Sequence, residues 1–301
     1  MDYRFRFASH PELNDDHALS LSDVRALLNA CRKHDIELVP QINLLGHQSW
    51  HSSLGKLLEV YPQFDETPNV ELPAEYKWPN DDGLYCKSYC SLHPKVHDVV
   101  FALIDEVVDA FEASVFHAGM DEVFYIAHPD CSRCAGRDPA RLFADEVQRI
   151  RNHLAKSERA LWIWGDRLLD GASTGLGEWE ASINGTHPAI DLISKDVVIC
   201  DWHYERAEPT PAYFAAEGFS VIACPWKKPD VAIDQKDFHE SFRRMANPTL
   251  ASRHRGIMQT TWSSAENFLD QFDNREALDL SEPSQVATFF ALFPRNDELS
   301  P

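Results

Sequence analysis

Six near-continuous apolar runs recur along the chain, and they constrain the fold more than any other feature of the sequence. Each run is rich in Val, Ile, Leu or Phe and ends in polar or aromatic residues. Continuous apolar runs are typical of parallel strands that are buried on both faces. The sequence therefore predicts strands within residues 36–47, 114–123, 160–170, 196–205, 219–228 and 256–268.

Helical patterns lie between these runs. The first has apolar residues at positions i, i+3, i+4 and i+7, namely Val24, Leu27, Leu28 and Cys31. Its expected N-cap is Ser20 or Ser22. Further helices are predicted within residues 95–111, 138–155, 209–217, 235–246 and 283–293. Strands that alternate with helices indicate a parallel sheet, and their polar ends gather where α/β barrels place their sites.

The length and composition fit one large domain. The chain has 301 residues, 44% of them hydrophobic, and no Gly/Ser tract or Pro-rich spacer divides it. We expect an α/β fold, a TIM-type (β/α) barrel that occupies residues 1–301 as a single domain. The sequence DYRFRF at residues 2–7 can supply the tail of a seventh strand. The barrel is therefore predicted to be incomplete at the N-terminus, with six to seven of its eight strands.

Residues 48–95 form a long excursion after the first predicted strand. Loops of this length are usually functional or disordered. This one is too aromatic for disorder, since it carries Trp50, Tyr61, Trp78, Tyr85 and Tyr89. We interpret it as a lid or a pocket wall.

The charge of the chain limits its partners. A formal net charge of -20 repels phosphate groups, so neither nucleic acid nor an anionic membrane is an expected partner. Residues 1–20 lack the pattern of a signal peptide, and no stretch approaches a transmembrane span. The cellular location stays open, and the cytoplasm is compatible with these features. No P-loop, Gly-x-Ser-x-Gly elbow or dinucleotide fingerprint is present.

The cysteines do not form an obvious framework. Seven is an odd number, which argues against complete disulfide pairing. Cys131 and Cys134, with His128 nearby, supply half of a zinc site. Cys86 and Cys90 complete it only if residues 48–95 fold back over it. We therefore predict no metal and no cofactor.

Aromatic and polar residues collect near the predicted strand ends. Indole rings with interleaved polar groups suit a sugar, whose C–H faces stack on the rings while its hydroxyls need donors and acceptors. The alternative is that these rings only pack the barrel top. His117, inside a strand, either lines the pocket or is a hydrogen-bonded core residue. The predicted substrate-binding residues are His117, Trp164, Asp166, Trp202, Trp226, Trp262 and Glu266.

The sequence VFHAGMDEVF, at 115–124, ends an apolar run in two adjacent acids, Asp121 and Glu122. Two carboxyl groups that flank a glycosidic bond are the usual equipment of a glycosidase. Adjacent residues fit that task if one protonates the leaving oxygen while the other holds a substrate group that acts as the nucleophile. The alternative is a solvated pair or a helix N-cap.

Two motifs resemble those of glycoside hydrolase family 20, the β-N-acetylhexosaminidases. HAGMDEV is similar to the family's His-x-Gly-Gly-Asp-Glu motif, and PQINLLGH is similar to its Pro-Glu-Ile-Asp-x-Pro-Gly-His segment one strand earlier. WIWGD and TTWSSAE sit where similar motifs end later strands. The resemblance covers roughly residues 20–270. It implies a TIM-type barrel and a retaining mechanism in which the substrate's 2-acetamido group attacks the anomeric carbon.

The resemblance also implies roles for the two acids. Glu122 matches the general acid/base, and a neighbouring carboxylate in a desolvated pocket helps it to keep its proton near neutral pH. Asp121 matches the residue that holds and polarises the acetamido N–H. His47 matches a histidine linked to the acid, with Asp2 as its expected carboxylate partner.

Three further residues are carried over from the family. Trp262 matches a stacking tryptophan, and Glu266 matches a glutamate that binds sugar hydroxyls. Tyr204 matches a tyrosine that hydrogen-bonds the acetamido oxygen. A carbohydrate is therefore the expected substrate, with its gluco or galacto configuration left open.

The chain departs from the family pattern at three positions. Met120 replaces the second Gly of the motif, and Gln41 and Asn43 replace two acids. The family's first strand, which brings an arginine to the sugar, has no counterpart. These departures keep open a non-catalytic carbohydrate-binding barrel, beside a metal-dependent hydrolase. An exposed sheet edge at the gap predicts a homo-oligomer.

Overall fold

The computed structural model describes residues 4–75, 86–279 and 282–294. The chain separates into two compact units, Met1–Val197 and Val198–Pro301. The single-domain organisation stays a prediction. In the part of the chain that is described, no helix combines the length and the apolar character needed to cross a bilayer.

The first unit contains three of the predicted strands, which run parallel in the order Gln41–Leu44, Val115–Gly119, Ala160–Trp164. His117 lies in register with Gln41 on one side and with Trp162 on the other. A short antiparallel hairpin follows the first strand, and each of its strands, Ser49–Trp50 and Ser53–Leu54, has two residues. The helices are Leu21–Arg32, Lys56–Val60, Val96–Ala110, Pro139–Ala155 and Gly171–Thr174, with 3-10 turns at Pro11–Leu13, Pro62–Phe64, Asp166–Leu168 and His187–Asp191.

The long helices of this unit form where the apolar spacing predicts them. Ser20 caps the first helix in a reciprocal capping box with Asp23. Val24 and Leu28 are buried, whereas Leu27 is exposed, so the buried stripe is narrower than predicted. Val96–Ala110 buries seven apolar side chains along one broad stripe, which anchors it in the core.

The second unit repeats the alternation of strands and helices. Its strands are parallel, in the order Val198–Trp202, Ser220–Cys224, His254–Ile257. Its helices are Thr210–Ala216, Pro229–Met245, Pro248–Arg253, Ala265–Asp273 and Gln285–Leu292, with a 3-10 turn at Arg275–Ala277. The last strand ends at Ile257, so the predicted range 256–268 covers mostly a loop and a helix.

The N-terminal segment and the excursion are partly described. Phe5 forms a single parallel bridge to Leu19 and no strand, while Asp2 lies outside the described residues. In the excursion, Leu57, Leu58, Phe64 and Tyr89 are buried side chains of a packed substructure. Trp78 and Tyr85 lie outside the described residues. The role of the excursion as a lid or wall stays a prediction.

Candidate active site

Two loops of the first unit carry the candidate site. One follows the strand Gln41–Leu44 and the other follows Val115–Gly119. Both loops contain non-glycine residues in the left-handed region, which costs of order 1–2 kcal/mol per residue and is found mainly at functional sites. The positive φ angles are 61° at Leu45, 55° at His47, 72° at Met120 and 49° at Glu122.

The strained turn after Gly119 (itself at φ +69°) brings the two acids to the same side of the backbone. In a continued strand, Asp121 and Glu122 would point to opposite faces. Instead both reach the Nε2 atom of His47, with Asp121 Oδ2 at 3.0 Å and Glu122 Oε2 at 3.3 Å. The other ring nitrogen, Nδ1, lies 3.2 Å from the Sγ atom of Cys86. All four side chains are buried. We call this group, together with Asp166, the carboxylate–imidazole cluster.

In the carboxylate–imidazole cluster, burial and the charge of the neighbouring group shift the pKa values of His47 and Asp121 in opposite directions, and the effect of charge is the larger. Burial by itself lowers the pKa of His47, but the carboxylate of Asp121 raises it well above the usual value. Burial likewise raises the pKa of Asp121, and the His47 charge lowers it below the usual value. The two groups are therefore an ion pair near neutral pH. Burial raises the pKa of Cys86 to about 12, so this residue is a thiol.

Asp166 lies behind the second loop. Its Oδ2 atom accepts the backbone N–H of Glu122 at 2.9 Å and the Nε–H of Arg167 at 2.7 Å. Arg167 is fully buried and also donates to the carbonyls of Glu178 and Ala181. Burial raises the pKa of Asp166 to about 6, against the lowering effect of Arg167. Asp166 thus fixes the backbone that presents Glu122, and its contact with a substrate stays a prediction.

Buried polar atoms without a protein partner lie beside this cluster. Among the described residues, Asp121 Oδ1 and His117 Nε2 are buried and accept or donate no hydrogen bond. His117 Nδ1 accepts the backbone N–H of Gly119 at 3.0 Å, which places the ring proton on Nε2. The His117 ring packs 4.6 Å from the ring of Trp164, which is also buried. Because unpaired buried polar atoms are costly, Asp121 Oδ1 is suited to a donor on a ligand.

Two glycines allow the loops and strands of the two motifs to touch. A Cβ atom on Gly46 would lie 2.8 Å from the backbone oxygen of Asp121. A Cβ atom on Gly119 would lie 2.5 Å from Oδ1 of Asn43, an atom that accepts a hydrogen bond from Gln41. Gln41 and Asn43, which replace two acids of the motif that PQINLLGH resembles, therefore pair with each other against the glycine of the HAGMDEV segment.

The second unit carries an aromatic cluster, which consists of Trp202, Tyr204, Trp226 and Trp262. The Tyr204 ring lies 4.9 Å from Trp202 and 5.4 Å from Trp226. The indole N–H of Trp262 donates to the Tyr204 hydroxyl at 2.8 Å. Trp262 is 51% exposed, whereas Trp202 is 8% exposed, so the cluster joins a buried ring to a partly exposed one.

Glu266 lies apart from any strand end. It occupies the first turn of the helix Ala265–Asp273, whose N-cap is Ser264, and it is exposed. Sequence reasoning also missed two residues of the first unit, Cys86 beside His47 and Arg167 beside Asp166. The adjacency of Asp166 and Arg167 was an available signal for the second, since a buried acid needs a cation.

The fold and these loops define a (β/α) barrel with its candidate site on the loops that follow parallel strands. The model of glycosyl hydrolase family 20, catalytic domain, matches residues 4–277, and the chain belongs to this family. The chain is 27% identical over 146 residues to a beta-hexosaminidase of Porphyromonas gingivalis, covering 48% of this chain and 17% of that protein. It is 25% identical over 168 residues to hexosaminidase D of Bos taurus, covering 52% of this chain and 42% of that protein. The chain thus spans less than half the length of either relative.

Solved structures show the same fold. A beta-N-acetylhexosaminidase crystal structure gives a TM-score of 0.61 at 14% identity, covering 94% of this chain and 58% of that one. The Flavobacterium johnsoniae chitobiase gives a TM-score of 0.59 at 15% identity, covering 97% of this chain and 41% of that one. The fold is therefore a TIM-type (β/α) barrel, of which the described residues supply six parallel strands. The predicted fold class and family are confirmed.

Proposed function

We propose that the chain is a glycosidase that releases terminal β-linked N-acetylhexosamine by a retaining, substrate-assisted mechanism. The observation that carries this proposal is the convergence of both carboxyl groups on His47, with one buried oxygen of Asp121 left without a protein donor. The relatives named as hexosaminidases support the same substrate class.

In the first step, Asp121 accepts the acetamido N–H through its unpartnered Oδ1 atom. The acetamido carbonyl oxygen then forms a bond to the anomeric carbon while the glycosidic bond breaks, and Glu122 donates its proton to the leaving oxygen. The ionised Asp121 stabilises the positive charge of the oxazolinium ring. The His47 ion pair keeps Asp121 ionised and fixed in place.

In the second step, Glu122 removes a proton from water, and the water oxygen forms a bond to the anomeric carbon as the oxazolinium ring opens. The configuration at that carbon is retained because it is inverted twice. The hydrogen bond from the backbone N–H of Glu122 to Asp166 holds the Glu122 carboxyl group in position for both proton transfers. This two-step use of one acid requires no second carboxylate nucleophile.

The aromatic cluster is proposed to bind the sugar. Tyr204, whose hydroxyl accepts the N–H of Trp262, stays the residue proposed to hydrogen-bond the acetamido oxygen. Trp262 stays the residue proposed to stack on the pyranose ring. His117, Trp164, Trp202, Trp226 and Glu266 stay proposed substrate-binding residues.

A metal-dependent hydrolase is the second candidate. His47, Cys86 and Glu122 each offer a ligand atom within 4.8 Å of the others, and three protein ligands with an open position are typical of catalytic zinc. Metal analysis of wild type and Glu122→Gln decides between the two. Loss of a bound metal in Glu122→Gln, together with loss of wild-type activity on chelation, would favour the metal hydrolase.

The direct test is hydrolysis of a chromogenic β-N-acetylglucosaminide by wild type and Glu122→Gln. We expect Glu122→Gln to lower kcat/KM by about 10²- to 10⁴-fold, the usual contribution of a general acid/base. Glu112→Gln, at an exposed glutamate paired with Arg32, is the matched control and should leave kcat/KM unchanged.

A second substrate tests the role of the acetamido group. The matching β-glucoside, which lacks this group, should not be hydrolysed by wild type, and the first product of the N-acetyl substrate should be the β-anomer. Equal rates on both glycosides would contradict the substrate-assisted mechanism. Binding of N-acetylglucosamine without hydrolysis of any glycoside would favour the non-catalytic carbohydrate-binding barrel.

A further inference from the structure

The first unit holds a second cluster of ligand-type side chains, separate from the carboxylate–imidazole cluster. We propose that Cys90, Cys131, Cys134 and Glu66 bind a structural zinc ion. The three Sγ atoms lie within 4.8 Å of one another. The carboxylate atom Oε1 of Glu66 lies 3.0 Å from the Sγ atom of Cys134. Three thiolates and one carboxylate complete the tetrahedral set of a closed zinc site.

The spacing of the sulfur atoms fits one small ion at their centre. Four ligands at a Zn–S distance of about 2.3 Å place tetrahedral sulfur atoms about 3.8 Å apart. Cys90 Sγ and Cys131 Sγ are 3.4 Å apart, so only a small movement is needed. Cys131 and Cys134 have the two-residue separation of a zinc loop, and Cys90 comes from the excursion.

Glu66 supplies an independent argument for a cation. It is 2% exposed, and its Oε1 atom accepts the thiol S–H of Cys134 and the backbone N–H of His128, each at 3.0 Å. Within residues 4–75, 86–279 and 282–294 it forms no ion pair, and the nearby ammonium of Lys87 pairs with Asp65 instead. Burying a carboxylate without a counter-charge costs several kcal/mol, whereas zinc would neutralise it.

Two simpler explanations account for only part of this cluster. The thiols also pack with Leu142, Leu92 and Ile126, as small apolar side chains would, but apolar packing does not supply a counter-charge for the Glu66 carboxylate beside them, which accepts only neutral donors among the described residues. A disulfide between Cys90 and Cys131 would use two of the three sulfurs and leave Cys134 facing a carboxylate. Zinc uses all four groups, and its binding releases the thiol protons.

The proposed ion would join two segments that support the candidate active site. Cys131 and Cys134 follow the loop of Asp121 and Glu122, whereas Cys90 lies four residues after Cys86, which contacts His47. The backbone N–H of Tyr89, next to Cys90, donates to the carbonyl of Leu45 in the His47 loop. The metal would therefore hold the excursion against that loop.

Metal analysis of the full chain, produced in zinc-supplemented medium and purified without chelator, tests the proposal. We expect near one zinc per chain in wild type, retained in Cys31→Ser and lost in Cys131→Ser. Cys31 is the matched control because it is a half-buried cysteine on the helix Leu21–Arg32. A metal-free wild type, or full zinc in Cys131→Ser, would overturn the proposal.

Two more variants separate this site from the other ligand group. Cys86→Ser should keep its zinc, and zinc loss in that variant would assign the ion to His47, Cys86 and Glu122 and overturn the proposal. Glu66→Ala should bind zinc more weakly, whereas Glu66→Cys should restore binding with a fourth thiolate. Equal zinc affinity in wild type and Glu66→Ala would remove Glu66 from the ligand set.

A measurement on wild type covers the case in which the cysteine variants fail to fold. Chain produced with cobalt in place of zinc should show intense sulfur-to-cobalt charge-transfer absorption and tetrahedral d–d bands. Weak octahedral bands would overturn the proposal. So would a Cys90–Cys131 cross-link in the mass spectrum of unreduced peptides.

Discussion

The carboxylate–imidazole cluster and the aromatic cluster reach their order by different physical means. In the first, buried charges hold one another, and the pKa shifts of His47 and Asp121 express that mutual dependence. In the second, aromatic rings of differing exposure are joined by tilted ring contacts and by single hydrogen bonds such as that from Trp262 to Tyr204. Changes in the first cluster should therefore cost stability and activity together, whereas changes in the second should affect substrate affinity alone.

The largest expected effect is that of Asp121→Asn. Breaking a buried ion pair costs about 3–5 kcal/mol, because the remaining partner stays buried without its counter-charge. We also expect kcat/KM on the N-acetyl substrate to fall by about 10²- to 10³-fold, since the oxazolinium charge is no longer stabilised. Chemical denaturation at neutral pH measures the first quantity, and the chromogenic assay the second.

The control is Asp105→Asn, which removes an exposed partner of His153 at 2.7 Å. An exposed pair contributes below about 1 kcal/mol. The stability that Asp121 contributes is present above its ordinary pKa and is lost as pH falls through its lowered folded pKa. Equal losses in Asp121→Asn and Asp105→Asn at neutral pH would refute the ion-pair interpretation.

The next effect in size is that of Gly119→Ala. The φ angle of +69° and the approach of Asn43 Oδ1 to 2.5 Å from a Cβ atom should together cost about 2–4 kcal/mol. Gly175→Ala is the matched control, because Gly175 has a φ angle of +74° and nothing within 4 Å of a Cβ atom. It should cost about 1 kcal/mol. Thermal unfolding of both variants measures the difference, which is the cost of the contact alone.

Asp166→Asn tests how the buried charges of the carboxylate–imidazole cluster make the unfolding free energy depend on pH. Burial raises the pKa of Asp166 from 3.8 to about 6, so the folded state binds a proton more tightly than the unfolded state. The unfolding free energy of wild type, relative to Asp166→Asn, should therefore fall as pH rises from 3.8 to about 6 and stay constant above that. The fall should be at most about 3 kcal/mol. A difference that rises with pH over this interval would show that the Arg167 pair dominates instead.

The smallest expected effect is that of Trp262→Phe in the aromatic cluster. The variant keeps a ring face but loses the N–H that donates to Tyr204. We expect KM to rise about two- to tenfold with kcat nearly unchanged, and the unfolding free energy to change by below about 1 kcal/mol. Tyr213→Phe, at an exposed ring on the helix Thr210–Ala216, should change neither constant. A large loss of kcat in Trp262→Phe would place this residue in the chemical step.

The sequence predicted the strands well because burial on both faces leaves a continuous apolar signal. Five of the six predicted ranges contain a parallel strand, and the sixth, 256–268, overlaps only the last two residues of the strand His254–Ile257. The last strand marks the limit of that signal, since only His254 of its four residues is buried. The polar end of that range forms a helix because Ser264 supplies an N-cap, accepting the N–H of Asn267. Glu266 was therefore expected at a strand end and lies in a helix.

The candidate site was predictable in its residue types and not in its geometry. The adjacency of Asp121 and Glu122 is visible in the sequence, but their convergence on His47 depends on left-handed backbone at Met120 and Glu122. Neither methionine nor glutamate favours that conformation, so the local sequence does not predict the turn. The approach of Cys86 depends on how the excursion folds, which is a long-range property.

The contact between Gly46 and the carbonyl of Asp121 links two segments 75 residues apart with no room for a side chain between them. A side chain at position 46 will therefore be accepted only together with a shift of the backbone at Asp121. Libraries made to alter the specificity of this protein should vary position 46 jointly with positions 121–123. Libraries confined to position 46 will return mainly glycine.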